Sequence, residues 1–190
     1  MNRKKMIALI TSIGILIIWL SWGLYSIYST PRPTFSIVET IGSNTEIRDY
    51  EEQTWISTDQ AGDRGSFMVL ASYIFGGNAD SEKIAMTAPV VTDRKMSFIL
   101  PAEMSIDDAP KPDGQNIVFE AVPGRRVAAL SFSWWASSKR VAAKTATLLA
   151  LLEENEIAVV GTPFLMRYND PWTPPFLRRN EVAVEVSSGS

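Results

Sequence analysis

Lys83-Ile84-Ala85-Met86-Thr87-Ala88-Pro89-Val90 lies between a helical pattern and a strand pattern, near the middle of the chain's polar part. Upstream, Phe67, Leu70, Ala71 and Ile74 recur at i, i+3, i+4 and i+7, one apolar stripe of a helix expected over 67–75. Met68, Ser72 and Phe75 form a second, partly apolar stripe beside it. A helix with two such stripes sits deep, or packs on a sheet while lining a cavity. Gly76-Gly77-Asn78 then reads as a turn. Downstream, residues 95–100 read as a strand closed by Pro101. The stretch must therefore carry the chain from helix into sheet. Ala85 and Ala88 allow close backbone approach, Met86 fills irregular gaps, and Pro89 locks φ and sets the direction of the next strand. Taken alone, it is a packed crossover without chemistry of its own.

Working outward, strands are expected at 35–39, 45–50 and 54–58, and a hairpin at 87–92 and 95–100 around Asp93-Arg94. A polar connection with Pro110 and Pro112, residues 102–115, is the best internal boundary. Beyond it the order repeats: strands at 116–122 and 126–134, a helix over 138–154 with Val141, Thr145, Leu148 and Leu152 on one face, then strands at 162–168 and 181–186. Each half reads strand, strand, helix, strand, strand, a repetition of pattern and not of letters.

The chain has 190 residues, 46% hydrophobic and 21% charged, enough for one soluble domain with a core plus an appendage. It contains no cysteine, which excludes disulfides and thiolate metal sites. It contains no histidine either, which excludes Ser-His triads, histidine-based zinc sites and imidazole-ligated haem from within one chain. The formal net charge is −3 and the isoelectric point about 5.1; no basic arm or stripe points to nucleic acid.

The appendage is N-terminal. Residues 1–5 carry Arg3, Lys4 and Lys5, and residues 6–28 hold no charge at all. A helix of that length spans about 35 Å at ~1.5 Å per residue, against a hydrocarbon core of about 30 Å. Trp19, Trp22, Tyr25 and Tyr28 crowd its C-terminal end like an interfacial belt. No polar face marks it as a buried soluble helix, and Tyr25-Ser26-Ile27-Tyr28-Ser29 is a poor cleavage site, so 6–28 is expected to be an uncleaved transmembrane anchor. The basic residues before it predict a cytoplasmic N-terminus: a single-pass protein of the inner (cytoplasmic) membrane with its domain on the periplasmic side. Residues 29–34, with Pro31 and Pro33, are a stiff linker into a domain over 35–190. That domain has 14 basic and 21 acidic residues, a net −7, so it is expected to stand off an anionic leaflet.

Six blocks share a resemblance: 83–90; Glu46-Ile47-Arg48-Asp49-Tyr50; Leu70-Ala71-Ser72-Tyr73-Ile74-Phe75-Gly76; Phe98-Ile99-Leu100-Pro101; Tyr168-Asn169-Asp170-Pro171; and Arg178-Arg179-Asn180-Glu181-Val182. Taken in chain order they resemble the SOUL haem-binding protein family over about residues 35–186. The resemblance implies an α+β fold: a distorted antiparallel β-barrel of two pseudo-symmetric halves with two helices packed outside, shared with gyrase-inhibitor-like domains. It also implies haem or another porphyrin as ligand, not needed for folding. The chain departs from those members that use a histidine as axial ligand. Iron would then meet Tyr or Met, or the ring is held by apolar contact alone, and the second is expected.

Candidate contacts for a flat apolar ligand are Met68, Tyr73, Phe75, Met86, Met166 and Tyr168, with Trp134 and Trp135 beside them. The helix over 138–154 has Lys139 and Arg140 in its first turn and Glu153 and Glu154 in its last, each opposing the helix dipole by ~0.3–1 kcal/mol when exposed. One reading makes Lys139 and Arg140 an anion site for propionates, near Arg125 and Arg126; the other makes the cost trivial by screening. Arg178-Arg179-Asn180-Glu181 either clamps a carboxylate or ties its loop to the sheet. The function expected is a non-enzymatic, membrane-anchored tetrapyrrole-binding protein. The alternatives are a hydrolase using Glu46, Glu181, Tyr50 or Tyr73 as acid–base groups, and a scaffold for an unknown protein partner. A buried glutamate facing an open cavity would favour the enzyme; a cleft lined by methionine and aromatic residues would favour the binder.

Overall fold

The alternation that marks the strands also decides which face each side chain buries. The computed structural model describes residues 2–59, 62–114 and 116–188; Met1, and residues 60–61, 115 and 189–190 of the expected domain, lie outside the described residues. Strands β1 (Phe35–Ile41), β2 (Thr45–Tyr50), β3 (Gln53–Thr58), β4 (Val90–Thr92), β5 (Met96–Ile99), β6 (Val118–Val122), β7 (Arg125–Phe132), β8 (Phe164–Arg167) and β9 (Asn180–Glu185) make one antiparallel sheet. Its order is β1-β2-β7-β9-β8-β4-β5-β3-β6. Among the described residues three α-helices accompany it: α1 (Arg3–Ser29), α2 (Asp63–Ile74) and α3 (Ser138–Glu154).

With β1 set aside, the order reads the same from either end once the halves are exchanged, β2 for β6, β3 for β7, β4 for β8 and β5 for β9. The centre of that exchange is the antiparallel β4–β8 pair, where Val91 faces Met166. The two halves expected from the pattern are therefore present. Among the described residues the ladder does not close into a barrel: β1 and β6 end it at opposite edges, without pairing to each other.

Period-two alternation divides the core. On one face α3 packs Leu148 and Leu152 against Ala128 and Leu130 of β7 and Val182 and Val184 of β9. On the same principle α2 packs Leu70, Ala71 and Ile74 against Ile56, Met96 and Phe98. The intervening residues, Trp55, Val91, Ile99, Val127, Ala129, Met166 and Ala183, share a third cluster. Burying each large apolar side chain contributes about 1.5–3 kcal/mol.

The expected strand over 87–92 shortens to Val90–Thr92. Thr87 gives its hydroxyl to the Ile99 carbonyl, the Ala88 N–H donates to Pro31 O at 2.9 Å, and Pro89 has no N–H to offer. The turn after α2 needs its glycine: a Cβ on Gly77 would lie 2.6 Å from Ser72 Oγ and 2.8 Å from Ser72 O.

Helix α1 is apolar and long enough to cross a membrane by length and composition. It does not stand apart from the domain. A Cβ on Gly23 would lie 2.6 Å from Pro174 Cδ, so only glycine lets the helix approach the 170–177 loop this closely. Trp19 Nε1 donates to Trp172 O at 2.7 Å and Ser26 Oγ to Asp170 Oδ2 at 2.6 Å.

Candidate functional site

A cavity of about 500 Å³ opens where α2, the 83–90 stretch and the end of β8 converge. That is within the ~300–1,000 Å³ typical of small-molecule sites. Phe67 comes from α2, Phe75 from its C-terminal cap, Met86 and Val90 from the crossover, Met96 from β5 and Tyr168 from the residue after β8. The crossover is thus one wall, which is what its small residues and its methionine permit. Charges sit around these apolar walls. Arg167 Nη2 pairs with Asp63 Oδ2 at 3.0 Å and its Nη1 donates to Thr92 Oγ1 at 3.2 Å. Arg64 also lines the cavity and, among the described residues, makes no ion pair. Ser26 and Thr30 of α1 and its cap, with Asp170 and Pro171, complete the lining.

A second place to consider for a flat ligand is the face of the sheet that carries no helix. It is full. The space among Tyr50, Trp55, Val91, Phe164 and Met166 is about 20 Å³, room for one water. The linker helps to close it, with Pro33 against that space and Arg32 5.3 Å from the Tyr168 ring centre.

The same face holds a buried ionic network. Glu181 and Arg48 are both fully buried. Arg48 donates to both Glu181 oxygens at 2.8 and 2.9 Å. Tyr168 Oη donates at 2.7 Å, Ser131 Oγ at 2.9 Å, and Arg179 through Nε and Nη2 at 2.8 and 2.6 Å. Burial alone would raise the Glu181 pKa; Arg48, Arg179 and Tyr168 outweigh it and bring it down to about 2. Burial works against charge on Arg48 too, but Glu181 holds it well above the ordinary guanidinium value. Burial, then the Glu181 charge, pushes the Tyr168 hydroxyl well up. A glutamate this saturated with donors holds its proton too weakly to act as a base near neutral pH. It also lies behind Tyr168 and does not line the cavity.

The residues expected to contact ligand divide by place. Phe75, Met86 and Tyr168 meet in the cavity. Tyr73 does not reach it; it is buried among Ile56, Leu70 and Phe98, its hydroxyl donating to Pro110 O at 2.7 Å. Met166 is buried in the central cluster, on the face away from the cavity. Met68 is exposed and lines no part of it. Lys139 and Arg140 are in the first turn of α3, where Arg140 Nη1 donates to Ser133 O at 3.1 Å, and neither lines the cavity. Trp134 and Trp135 are exposed on the loop before α3. Sequence reasoning missed Phe67, Val90 and Met96 as lining residues, together with Arg64 and Arg167. Phe67 did stand on the apolar stripe; only the crossover's path shows that this end of the stripe overhangs a space.

Among the described residues no group of three or more Asp or Glu forms a metal site. The soft donors at the cavity are the Met86 and Met96 thioethers. Tyr168 is held protonated by Glu181 and is a poor phenolate ligand. The lining therefore fits a planar apolar ring better than it fits a tightly ligated metal.

Comparison with known proteins agrees with the geometry. The sequence model of a family described as SOUL heme-binding protein matches residues 30–185. Heme-binding protein 2 of Mus musculus is 29% identical over 170 residues, covering 74% of this chain and 80% of its own length. Heme-binding protein 2 of Homo sapiens is 29% identical over 157 residues, covering 72% and 75%. Among solved structures, the EcmrR C-terminal domain superposes with a TM-score of 0.55 at 15% identity, over 78% of this chain and all of that one. At that identity the likeness is one of fold.

Proposed function

The chain belongs to the SOUL heme-binding protein family, and from that premise we propose that it binds haem or a related tetrapyrrole in the cavity beside α2, without enzymatic turnover, while α1 anchors it in a membrane. The cavity carries the reading: about 500 Å³, apolar on its walls, with Arg64 free of any ion pair among the described residues. A tetrapyrrole offers a flat apolar body and carboxylates at one edge. Phe67, Phe75, Met86 and Met96 would hold the body, and Arg64 the carboxylate. This replaces Lys139 and Arg140, which do not line the cavity, as the anion partner. The chain has no imidazole, so ring contact and not iron coordination carries the affinity. Metal-free protoporphyrin is then expected to bind about as tightly as haem. The saturated state of Glu181 weighs against the hydrolase alternative.

The test is a titration of the full-length protein in detergent with haem and with metal-free protoporphyrin, followed by tryptophan quenching and Soret absorbance. Saturable binding of both, lost in Met86→Trp, is expected. Failure of either to saturate, or a strong preference for the iron form, overturns the reading. For the anchor, we propose a cytoplasmic N-terminus and a periplasmic domain, supported by Arg3, Lys4 and Lys5 ahead of the apolar stretch. An alkaline phosphatase fused after residue 30 should be active; an inactive fusion reverses the orientation.

A further inference from the structure

We infer that the loops at residues 133–136 and 170–177 sit in the membrane–water interface beside α1, so that the cavity opens at the level of the lipid headgroups. The inference rests on the reading of α1 as a membrane span.

The two loops make one aromatic surface. Trp172 is 75% exposed, and Trp134, Trp135 and Phe176 are about half exposed. The loops are tied together: the Trp134 N–H donates to Pro175 O at 2.9 Å, and the Trp134 and Phe176 rings are 6.5 Å apart. Trp134 has φ +73°, a conformation that bulky side chains avoid. Asn180 Nδ2 donates to its carbonyl at 2.8 Å and holds it there. The backbone is kept in an unfavourable well with its indole still half exposed, beside the Phe176 ring.

The register along α1 sets the depth. Trp172 is bonded at Trp19, Pro174 rests on Gly23, and Asp170 is bonded at Ser26. Residues 3–18 of α1 therefore run beyond these contacts, about 24 Å of helix at ~1.5 Å per residue. The hydrocarbon core is about 30 Å thick. To cross it, α1 must also use the turns that carry Trp19 and Trp22, and those turns bring the 170–177 loop with them. Polarity grades along the same axis. Asp170, at the Ser26 level, is the outermost of the three contacts, and the cavity wall formed by Ser26, Thr30 and Pro171 lies one to two turns outward of Gly23.

Cations rim the aromatic surface. The Arg178 guanidinium lies 4.7 Å from the Trp135 ring centre, and Arg140 is bonded to Ser133 O, with Lys139 beside it. Indoles ringed by basic side chains suit the junction of acyl chains and phosphates. The acidic net charge of the domain, which led to the expectation that it stands off the membrane, acts across a screening length of about 8 Å and does not reach this rim from distant surfaces. The basic first turn of α3, costly for the helix and unused by the cavity, has a partner in this arrangement.

The chain has no cysteine, so single cysteines can be placed cleanly. Ile10→Cys, Trp172→Cys, Phe176→Cys and Val118→Cys, the last on edge strand β6, are nitroxide-labelled in the full-length protein. Each is reconstituted into vesicles of phosphatidylcholine and phosphatidylglycerol. Collision with oxygen is compared with collision with a water-soluble nickel complex. Trp172→Cys keeps the carbonyl that Trp19 uses, so the docking of α1 remains. Labels at 10, 172 and 176 are expected to favour oxygen, with nickel access at 172 and 176 several-fold below that at 118. If 10 is deep while 172 and 176 are as open to nickel as 118, the loops stand in water and the inference fails with the anchor intact. If 10 is itself open to nickel, the anchor fails and the inference with it. If 172 and 176 are protected in detergent as well, with dipolar broadening between copies, the surface is a self-association face and the inference is overturned.

Discussion

Replacing Glu181 by glutamine keeps the shape of the buried network and removes its charge. Arg48, fully buried and bonded to both Glu181 oxygens, then has no full counter-charge on that side. Two independent routes give the magnitude. The carboxyl pKa falls from 4.5 to about 2 on folding, and at ~1.36 kcal/mol per pH unit that corresponds to about 3 kcal/mol. Breaking one partner of a buried ion pair costs about 3–5 kcal/mol in general. At ~2–4 °C per kcal/mol for a domain of this size, Glu181→Gln should lower the melting temperature by about 6–12 °C. The pH dependence carries the sharper test. Because the folded pKa is depressed, the stabilisation is complete above about pH 4.5, where the unfolded glutamate is ionised. It declines by ~1.4 kcal/mol per pH unit below that and is gone near pH 2. Glutamine does not titrate, so the gap between the two proteins should be widest at pH 7 and should narrow from pH 4.5 downward. Thermal melts of the full-length protein in non-ionic detergent, followed by near-ultraviolet circular dichroism at pH 7, 5, 4 and 3, measure that gap. A loss under about 1 kcal/mol at pH 7, or a gap as wide at pH 3 as at pH 5, would refute the account of Glu181 as a saturated structural carboxylate.

Three further outcomes follow from the same geometry. Arg64→Glu should weaken porphyrin binding about tenfold or more, while Lys139→Ala with Arg140→Ala should leave it unchanged; equal effects in the titration would put the carboxylate elsewhere. Gly23→Leu should push α1 off Pro174, a strain of about 1–3 kcal/mol for forced overpacking, and should raise amide exchange in 170–177 without altering exchange in α3. Tyr73→Phe leaves the Pro110 carbonyl without its donor and should destabilise by about 1–3 kcal/mol while porphyrin affinity stays the same; a loss of affinity would return Tyr73 to the binding site.

Periodicity reads the elements well because it reports which side of a strand or helix avoids water. Val182 and Val184 against Ala183, or Leu148 together with Leu152, announce their faces in the letters alone. Ladder closure is not announced, since whether β1 meets β6 depends on curvature summed over the whole sheet and on no local repeat. The candidate site shows the same limit. Met86, Phe75 and Tyr168 are legible because the crossover motif and the helix end point to a junction. Tyr73 and Phe75 have equal claims by composition, yet one is sealed under Pro110 and the other overhangs the cavity. Met166 differs from Met96 only in the strand face it takes, and that face follows from pairing with Val91. Glu181 looked like a possible acid–base group because sequence cannot count donors; six side-chain hydrogen bonds from four residues decide otherwise.

The self-reversing strand order extends to the hollows beside the sheet. Exchanging the two halves carries β4 onto β8, α2 onto α3, and the chain after β8 onto the chain after β4. The twin of the α2 cavity is the recess of about 410 Å³ between α3 and the start of β8, where Val141 and Thr145 stand opposite Thr162 and Phe164 and Thr92, Asp93 and Arg94 close the end. The recess beside α2 holds the Met86 and Met96 thioethers and borders the N-terminal helix at Ser26, while the lining of its counterpart contains neither a thioether nor a residue of that helix. The lining of the two hollows, and not the architecture the halves share, is what makes this molecule one-sided.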